Sequence, residues 1–236
     1  MEYYYTPKEY ISSSSLTIVD EEVRHLKRVL RKNAGDEIYV TDGLGNLYKT
    51  KISNVNKEII ECEILERSAN LNEPKIKLTL FQSLLKSPDR FEFVIEKATE
   101  LGVYEIQPIV TEYVINKTAN KTERWKAIAL SAMKQSQRCF LPAVREPVIF
   151  TEAIQTFGSE LKLIADERKY EIAVDVHSLS QKPDSISLFI GPEGGFTKEE
   201  VEIALQNGCK ILHLGTRKYR SETAAVISAG LLLINN

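Results

Sequence analysis

Cysteine is scarce. Cys62, Cys139 and Cys209 are too few and too widely spaced for a disulfide framework or a paired-cysteine metal knuckle. A reducing, cytoplasmic setting is therefore expected. No segment approaches the ~18 consecutive apolar residues that span a bilayer, and the opening MEYYYTPKEYISSSS lacks the basic and apolar regions of a secretory leader. Neither secretion nor membrane insertion is expected. The three histidines, His25, His177 and His213, stand singly, so no metal triad can be drawn from them. An excess of one charge is also missing: 31 Lys plus Arg against 33 Asp plus Glu give a net charge of -2. That excludes a protein that coats nucleic acid nonspecifically, and confines any polyanion site to a local patch. With 11 Gly and 8 Pro in 236 residues, 43% of them hydrophobic, the disordered and collagenous classes are excluded as well. What remains is a folded chain long enough for one large domain or two modest ones.

The polar run from Ser68 to Pro74 separates two rhythms and is the expected linker, placing domains at 1–70 and 74–236. Before it, Glu37–Thr41, Leu47–Ile52 and Glu58–Ile64 read as short strands, the first two joined by a turn at Asp42–Asn46. This predicts a small, mostly β domain. After it, strand-like runs at 75–80, 103–110, 161–165, 186–190 and 210–214 alternate with helix-like stretches, which implies an α/β domain with a parallel sheet. Ser87-Pro88 opens one helix, with Phe91, Val94, Ile95, Ala98 and Leu101 as its core stripe and Gly102 as its stop. The capping box Thr197-Lys-Glu-Glu200 opens another.

In an open parallel sheet, ligands bind beyond the carboxyl ends of the strands. Three loops there are unusual: Asp166–Lys169, Gly191–Gly195 and Gly215–Thr223. If their strands are neighbours, the loops form one site. Gly191, Gly194 and Gly195 let backbone approach a flat ligand, although a glycine-rich turn also simply connects a strand to a capped helix. The loop is neither a P-loop, since Phe196 and Thr197 stand where Lys-Ser or Lys-Thr is required, nor a dinucleotide GxGxxG. Arg217 and Arg220 stand just before an apolar helix, where they oppose its dipole. They point to an anionic partner or to a salt bridge with Glu222.

Two further segments carry polar faces. Asp20 is placed to cap a helix running to Lys32, on which Arg24, Lys27, Arg28 and Arg31 share one face opposite Val23, Leu26 and Leu30. Residues 1–70 hold ten Lys plus Arg against twelve Asp plus Glu, so this stripe is local, and it suits phosphate or a solvated surface. On the helix from Arg124, Ser131, Gln135 and Arg138 share a face that suits RNA, a subunit interface or loop anchoring.

Taken together, several stretches resemble the 16S ribosomal RNA (uracil-N3)-methyltransferases of the SPOUT class. They are His25-Leu-Lys-Arg-Val-Leu-Arg31 with Gly35-Asp36, Glu96–Val103, Gln135-Ser-Gln-Arg138 with Leu141-Pro142, Ile190–Phe196, and Leu214-Gly-Thr-Arg217 followed by Arg220–Ala224. The resemblance runs nearly end to end. It implies an N-terminal PUA-like RNA-binding β-barrel and a C-terminal α/β domain tied in a deep trefoil knot around S-adenosylmethionine, with homodimerisation through the knot domain. Carried over residue by residue, the cofactor site comprises Leu163, Ile164, Ala165, Ile190, Gly191, Pro192, Glu193, Gly194, Leu214, Gly215, Arg217, Tyr219, Arg220 and Thr223. Thr216 and Lys218-Tyr219 depart from the family pattern and change polarity at the rim.

The implied reaction is methylation of N3 of a uridine in the decoding region near the 3′ end of 16S rRNA, within the assembled small subunit. Arg220 and Glu222 are the expected catalytic pair: the arginine holds the uracil oxygens, and the glutamate orients it or accepts the proton. Arg24, His25, Lys27, Arg28, Arg31, Gln135 and Arg138 are the expected RNA contacts. No metal is expected. The competing reading is a noncatalytic ribosome-assembly factor that keeps the knot fold, and a weaker one makes Gly191–Gly195 a phosphate cradle.

Overall fold

The computed structural model describes residues 2–29, 31–115, 121–168, 174 and 183–234, without the side chains of 28 and 29. The chain divides into two compact units, Met1–Glu73 with Leu130–Leu141, and Pro74–Ala129 with Pro142–Asn236.

The first unit is a five-stranded sheet. Its strands are β1 (Tyr3–Tyr5), β2 (Ser15–Ile18), β3 (Glu37–Thr41), β4 (Asn46–Val55) and β5 (Ile60–Ala69), in the order β1-β3-β4-β5-β2. Only β1 and β3 pair in parallel. Thr6 Oγ1 donates to Thr17 O at 2.7 Å, drawing together the two outer strands, so the sheet curls around its core. That core holds Tyr4, Leu16, Ile18, Val23, Leu26, Val40, Ile52 and Ile60. Asp42 Oδ1 accepts the Leu44 and Asn46 N–H groups at 2.9 and 3.1 Å, fixing the β3–β4 turn. Ser68 and Ala69, expected in the linker, are strand residues paired with Leu47 and Asn46.

The expected helix over 20–32 is not formed as one piece. Asp20 is no cap but the first residue of α1 (Asp20–Arg24), at φ 57, and a π-helical turn follows over His25–Val29. The wider turn ends the 100° step on which the arginine stripe depended, and Arg31 lies beyond it at φ 53.

The C-terminal segment of this unit, Leu130–Leu141, is bound in by long-range contacts. Gly45 N donates to Cys139 O and Leu141 N to Gly43 O, both at 2.9 Å. Glu73 Oε1 accepts the Cys139 and Phe140 N–H groups at 2.8 and 3.0 Å.

The second unit is a parallel α/β sheet. Its elements are β6 (Lys77–Ser83), α2 (Pro88–Leu101), β7 (Glu105–Val110), the start of α3 (Thr122–Gln135), β8 (Ala143–Val144), β9 (Val148–Ile149), α4 (Phe150–Thr156), β10 (Leu161–Ala165), β11 (Ser185–Ile190), α5 (Lys198–Gln206), β12 (Cys209–Leu212) and α6 (Ser221–Leu233). The strand order is β12-β10-β11-β6-β7-β8, with β9 also on β7. Phe81 and Phe189 stack at 4.3 Å between centroids, and Phe150 meets Phe189 edge-on at 5.9 Å. Burying each ring contributes roughly 2–3 kcal/mol. Pro88 starts α2 as expected, but Ser87 makes no side-chain cap bond. Gly102 ends the helix at φ 99. Among the described residues no helix is long and apolar enough to cross a membrane.

Candidate active site

Register decides where the loops leave the sheet. Leu212 pairs with Ala165, Ala165 with Ile190, and Ile190 with Gln82, so four neighbouring parallel strands end level. The segments after β10, β11 and β12 therefore leave one edge together. The strand order also reverses between β6 and β11, since β7 continues on the far side of β6. Ligands settle at such a point. The sheet's edge strand is β12, whereas α6 packs on α2, β6 and β11. Residues 213–220 must consequently cross the ends of two strands, about 10 Å.

One side chain ties the loops together. Ser221 Oγ donates to Gly191 O at 2.5 Å and accepts from Gln82 Nε2 at 3.0 Å, while Gln82 Nε2 also donates to Ser83 O. The head of α6 is thereby held to the glycine loop and to β6. Gln82 Oε1 is buried with no hydrogen-bond partner among the described residues.

The glycine loop turns through Gly195 N to Pro192 O, 3.0 Å, then buries Phe196 and enters α5 through the reciprocal Thr197–Glu200 capping box. A Cβ on Gly191 would lie 3.0 Å from the Gly195 carbonyl carbon, so the close approach requires glycine there. Glu193 accepts the Lys86 N–H at 3.2 and 3.4 Å. After β10, Asp166 holds Arg168 through Nε at 2.9 Å and Nη2 at 2.5 Å, and Glu167 pairs with Lys218 at 2.7 Å. Lys169 and His177 lie outside the described residues. After β12, Gly215 sits at φ 90 and, among the described residues, no atom lies within 4 Å of where a Cβ would stand; Arg217 Nε donates to Tyr219 OH at 3.2 Å.

The expected cofactor residues fall into two groups. Leu163, Ile164 and Ile190 are almost wholly buried, so their side chains pack in the core and what they offer at the strand ends is backbone. Pro192 is also buried. Ala165, Leu214, Tyr219 and Thr223 are half-buried, and Glu193, Gly194, Gly215, Arg217 and Arg220 are exposed at the edge.

Arg220 immediately precedes α6, and its guanidinium has no partner among the described residues. The alternative salt bridge from Glu222 to Arg217 or Arg220 is not formed. Instead Glu222 Oε1 lies 3.6 Å from Arg90 Nε, while Glu222 Oε2 is buried without a hydrogen-bond partner among the described residues. The sequence reading missed both Arg90 and Gln82, since on α2 it weighed only the apolar stripe, which is core, and elsewhere the loops after β10, β11 and β12. The available signal was topological: a helix that follows a parallel strand starts at the carboxyl edge.

In the first unit, Arg24 and Arg31 are exposed, His25 Nε2 meets Glu2 Oε1 at 2.9 Å and Lys27 Nζ donates to Asn56 O at 2.8 Å. The side chain of Arg28 is outside those described. Gln135 is exposed at the end of α3. Arg138 is a correction: its side chain is 5% exposed and donates to Glu73 Oε2 through Nε and Nη2, at 3.0 and 2.7 Å, so it anchors this unit and is withdrawn from the RNA face.

Residues 72–233 match the RNA methyltransferase domain and residues 18–65 the RNA methyltransferase PUA domain. A curated relative from Synechocystis sp., named ribosomal RNA small subunit methyltransferase E, is 33% identical over 224 residues, 93% of this chain and 73% of that protein. This chain belongs to the ribosomal RNA small subunit methyltransferase E family. A crystal structure of such an enzyme from Neisseria gonorrhoeae, bound to S-adenosyl methionine, superposes with a TM-score of 0.87 at 33% identity, covering 97% of this chain and 95% of that one. A putative methyltransferase from Legionella pneumophila with the same cofactor gives 0.84 at 30% identity, covering 98% and 96%. The α/β fold with a PUA domain, expected for this family, is thus confirmed. Among the described residues no three His, Cys, Asp or Glu side chains group as a metal site.

Proposed function

We propose that the protein methylates N3 of a uridine in 16S rRNA, in the decoding region near its 3′ end, using S-adenosylmethionine and acting on the assembled small subunit. The observation that carries this reading is the level ending of β12, β10, β11 and β6, with Ser221 joining the glycine loop to α6.

The residues fit the cofactor. The close turn at Gly191 and the open Gly215 offer backbone to a flat ligand, and two buried oxygens, Gln82 Oε1 and Glu222 Oε2, lack donors among the described residues. When bound, the cofactor supplies an electrophilic methyl group on a sulfonium centre. The chain's own work is then to orient the base and to manage one proton and one negative charge. Arg220, exposed and without a partner among the described residues, holds the uracil oxygens and stabilises the imide anion. Glu222, in the first turn of α6, accepts the N3 proton.

Arg24, His25, Lys27, Arg28, Arg31 and Gln135 contact the RNA, chiefly through phosphates. The knot belongs to the same reading, supported by the crossing of residues 213–220 over two strand ends. So does homodimerisation, supported by exposed Phe93 on α2 and Leu231 and Ile234 at the end of α6. A ribosomal substrate places the protein in the cytoplasm. Arg220→Ala tests the assignment: turnover should be lost with calorimetric S-adenosylmethionine affinity retained, and near wild-type turnover refutes it.

A further inference from the structure

We infer that Arg90 is a positioning residue for this reaction. Held between Glu193 and Glu222, it fixes the Glu222 carboxylate so that Oε2 is the oxygen left to accept the uracil N3 proton. The inference rests on reading Glu222 as the proton acceptor, and it supplies the contact that orients that group.

Arg90 stands in the first turn of α2, which packs against α6. Its Nε is 3.6 Å from Glu222 Oε1 and its Nη1 4.0 Å from Glu193 Oε1. Glu193 is itself anchored by the Lys86 N–H. A chain of contacts thus runs from the loop after β6, through the glycine loop and α2, to the head of α6. It engages one oxygen of Glu222 and leaves the other.

Among the described residues that other oxygen is buried without a donor, an expensive state for a carboxylate that an incoming donor relieves. The uracil imide N–H is such a donor, at the edge where the four strands end. Among the described residues Arg90 on α2 is the ion partner of Glu222, Glu193 in the glycine loop lies beyond it on the same guanidinium, and Arg220 stands two residues ahead in sequence. At this end β6 and β11 present Gln82, Ser83 and Ile190, none charged.

In the step, the N3–H bond breaks and the proton passes to Glu222 Oε2. The N3 electron pair forms the N–CH3 bond as the S–CH3 bond breaks, its pair returning to sulfur, and Glu222 later gives the proton to water.

The test compares Arg90→Met, Arg90→Lys and Glu222→Gln. The measurements are methylation of small subunits lacking the modification, calorimetric S-adenosylmethionine affinity and thermal unfolding. Arg90→Met should lower kcat about tenfold or more and leave cofactor affinity within about twofold. Arg90→Lys should recover much of the rate. A wild-type rate in Arg90→Met, with Glu222→Gln inactive, overturns the role of Arg90 alone. A slow Arg90→Met with no recovery by lysine also overturns it, as mere packing. A fully active Glu222→Gln overturns both this inference and the reading beneath it.

Discussion

Replacing Ser221 by alanine removes one oxygen and two buried hydrogen bonds, to Gly191 O and from Gln82 Nε2. Each is worth about 1 kcal/mol net, and a buried acceptor stripped of its donor costs a further ~1–3 kcal/mol. Gln82 Nε2 keeps its bond to Ser83 O, so the Gly191 carbonyl bears most of that penalty. The expected loss is about 3–5 kcal/mol, or roughly 6–12 °C in Tm at the lower end of 3 kcal/mol. Because the bond also shapes the glycine loop, S-adenosylmethionine affinity should fall about tenfold, equivalent to ~1.4 kcal/mol. Ser228→Ala is the control: it lies on the same helix, buried, with a hydroxyl that has no hydrogen-bond partner among the described residues. It should change stability by no more than about 0.5 kcal/mol. Denaturant unfolding and calorimetry read both quantities. If Ser221→Ala behaves like Ser228→Ala, the hydroxyl does not hold the loops together.

Arg138→Met should destabilise the N-terminal unit by about 3–5 kcal/mol, because it leaves Glu73 buried without its cation. In filter binding of the folded variant, the salt slope for RNA should not move; a slope reduced by about one, with stability unchanged, would return Arg138 to the RNA face. Gly191→Ala should weaken S-adenosylmethionine binding at least about tenfold, since the added Cβ would sit 3.0 Å from the Gly195 carbonyl carbon; unaltered calorimetry contradicts the close-approach argument. Burial pushes the thiols of Cys62, Cys139 and Cys209 up from 9.0 to about 11. The native state therefore keeps protons that the unfolded chain releases, and this contribution to stability, full below pH ~9, is lost as pH rises towards 11. Cys209→Ala should flatten the fall in unfolding free energy over that range, and iodoacetamide at pH 8 should label none of the three before denaturant is added; prompt labelling contradicts their burial.

Local pattern made some of this architecture legible. The bounds of β3 and β10 follow from β-branched and aromatic runs between turn residues, and the Thr197–Glu200 box marked the start of α5 because both its hydrogen bonds lie within four residues. The three loops were found because glycine and charge cluster just after apolar runs. What escaped depends on partners distant in sequence. Tyr3–Tyr5 is too short to announce a strand, and pairs with Tyr39–Thr41. Arg138 reads as a polar helix residue until Glu73 arrives from 65 positions away. Arg90 gains meaning only beside Glu222 and Glu193. The left-handed Asp20 had no local signal, since aspartate before an apolar helix reads as a cap.

Incubating the protein and labelled S-adenosylmethionine with small ribosomal subunits that lack the modification, then digesting the RNA for nucleoside mass spectrometry, addresses the central claim. Labelled N3-methyluridine should form with the wild-type protein and not with Arg220→Ala. Label at another base or position, or none despite measured cofactor binding, would contradict it.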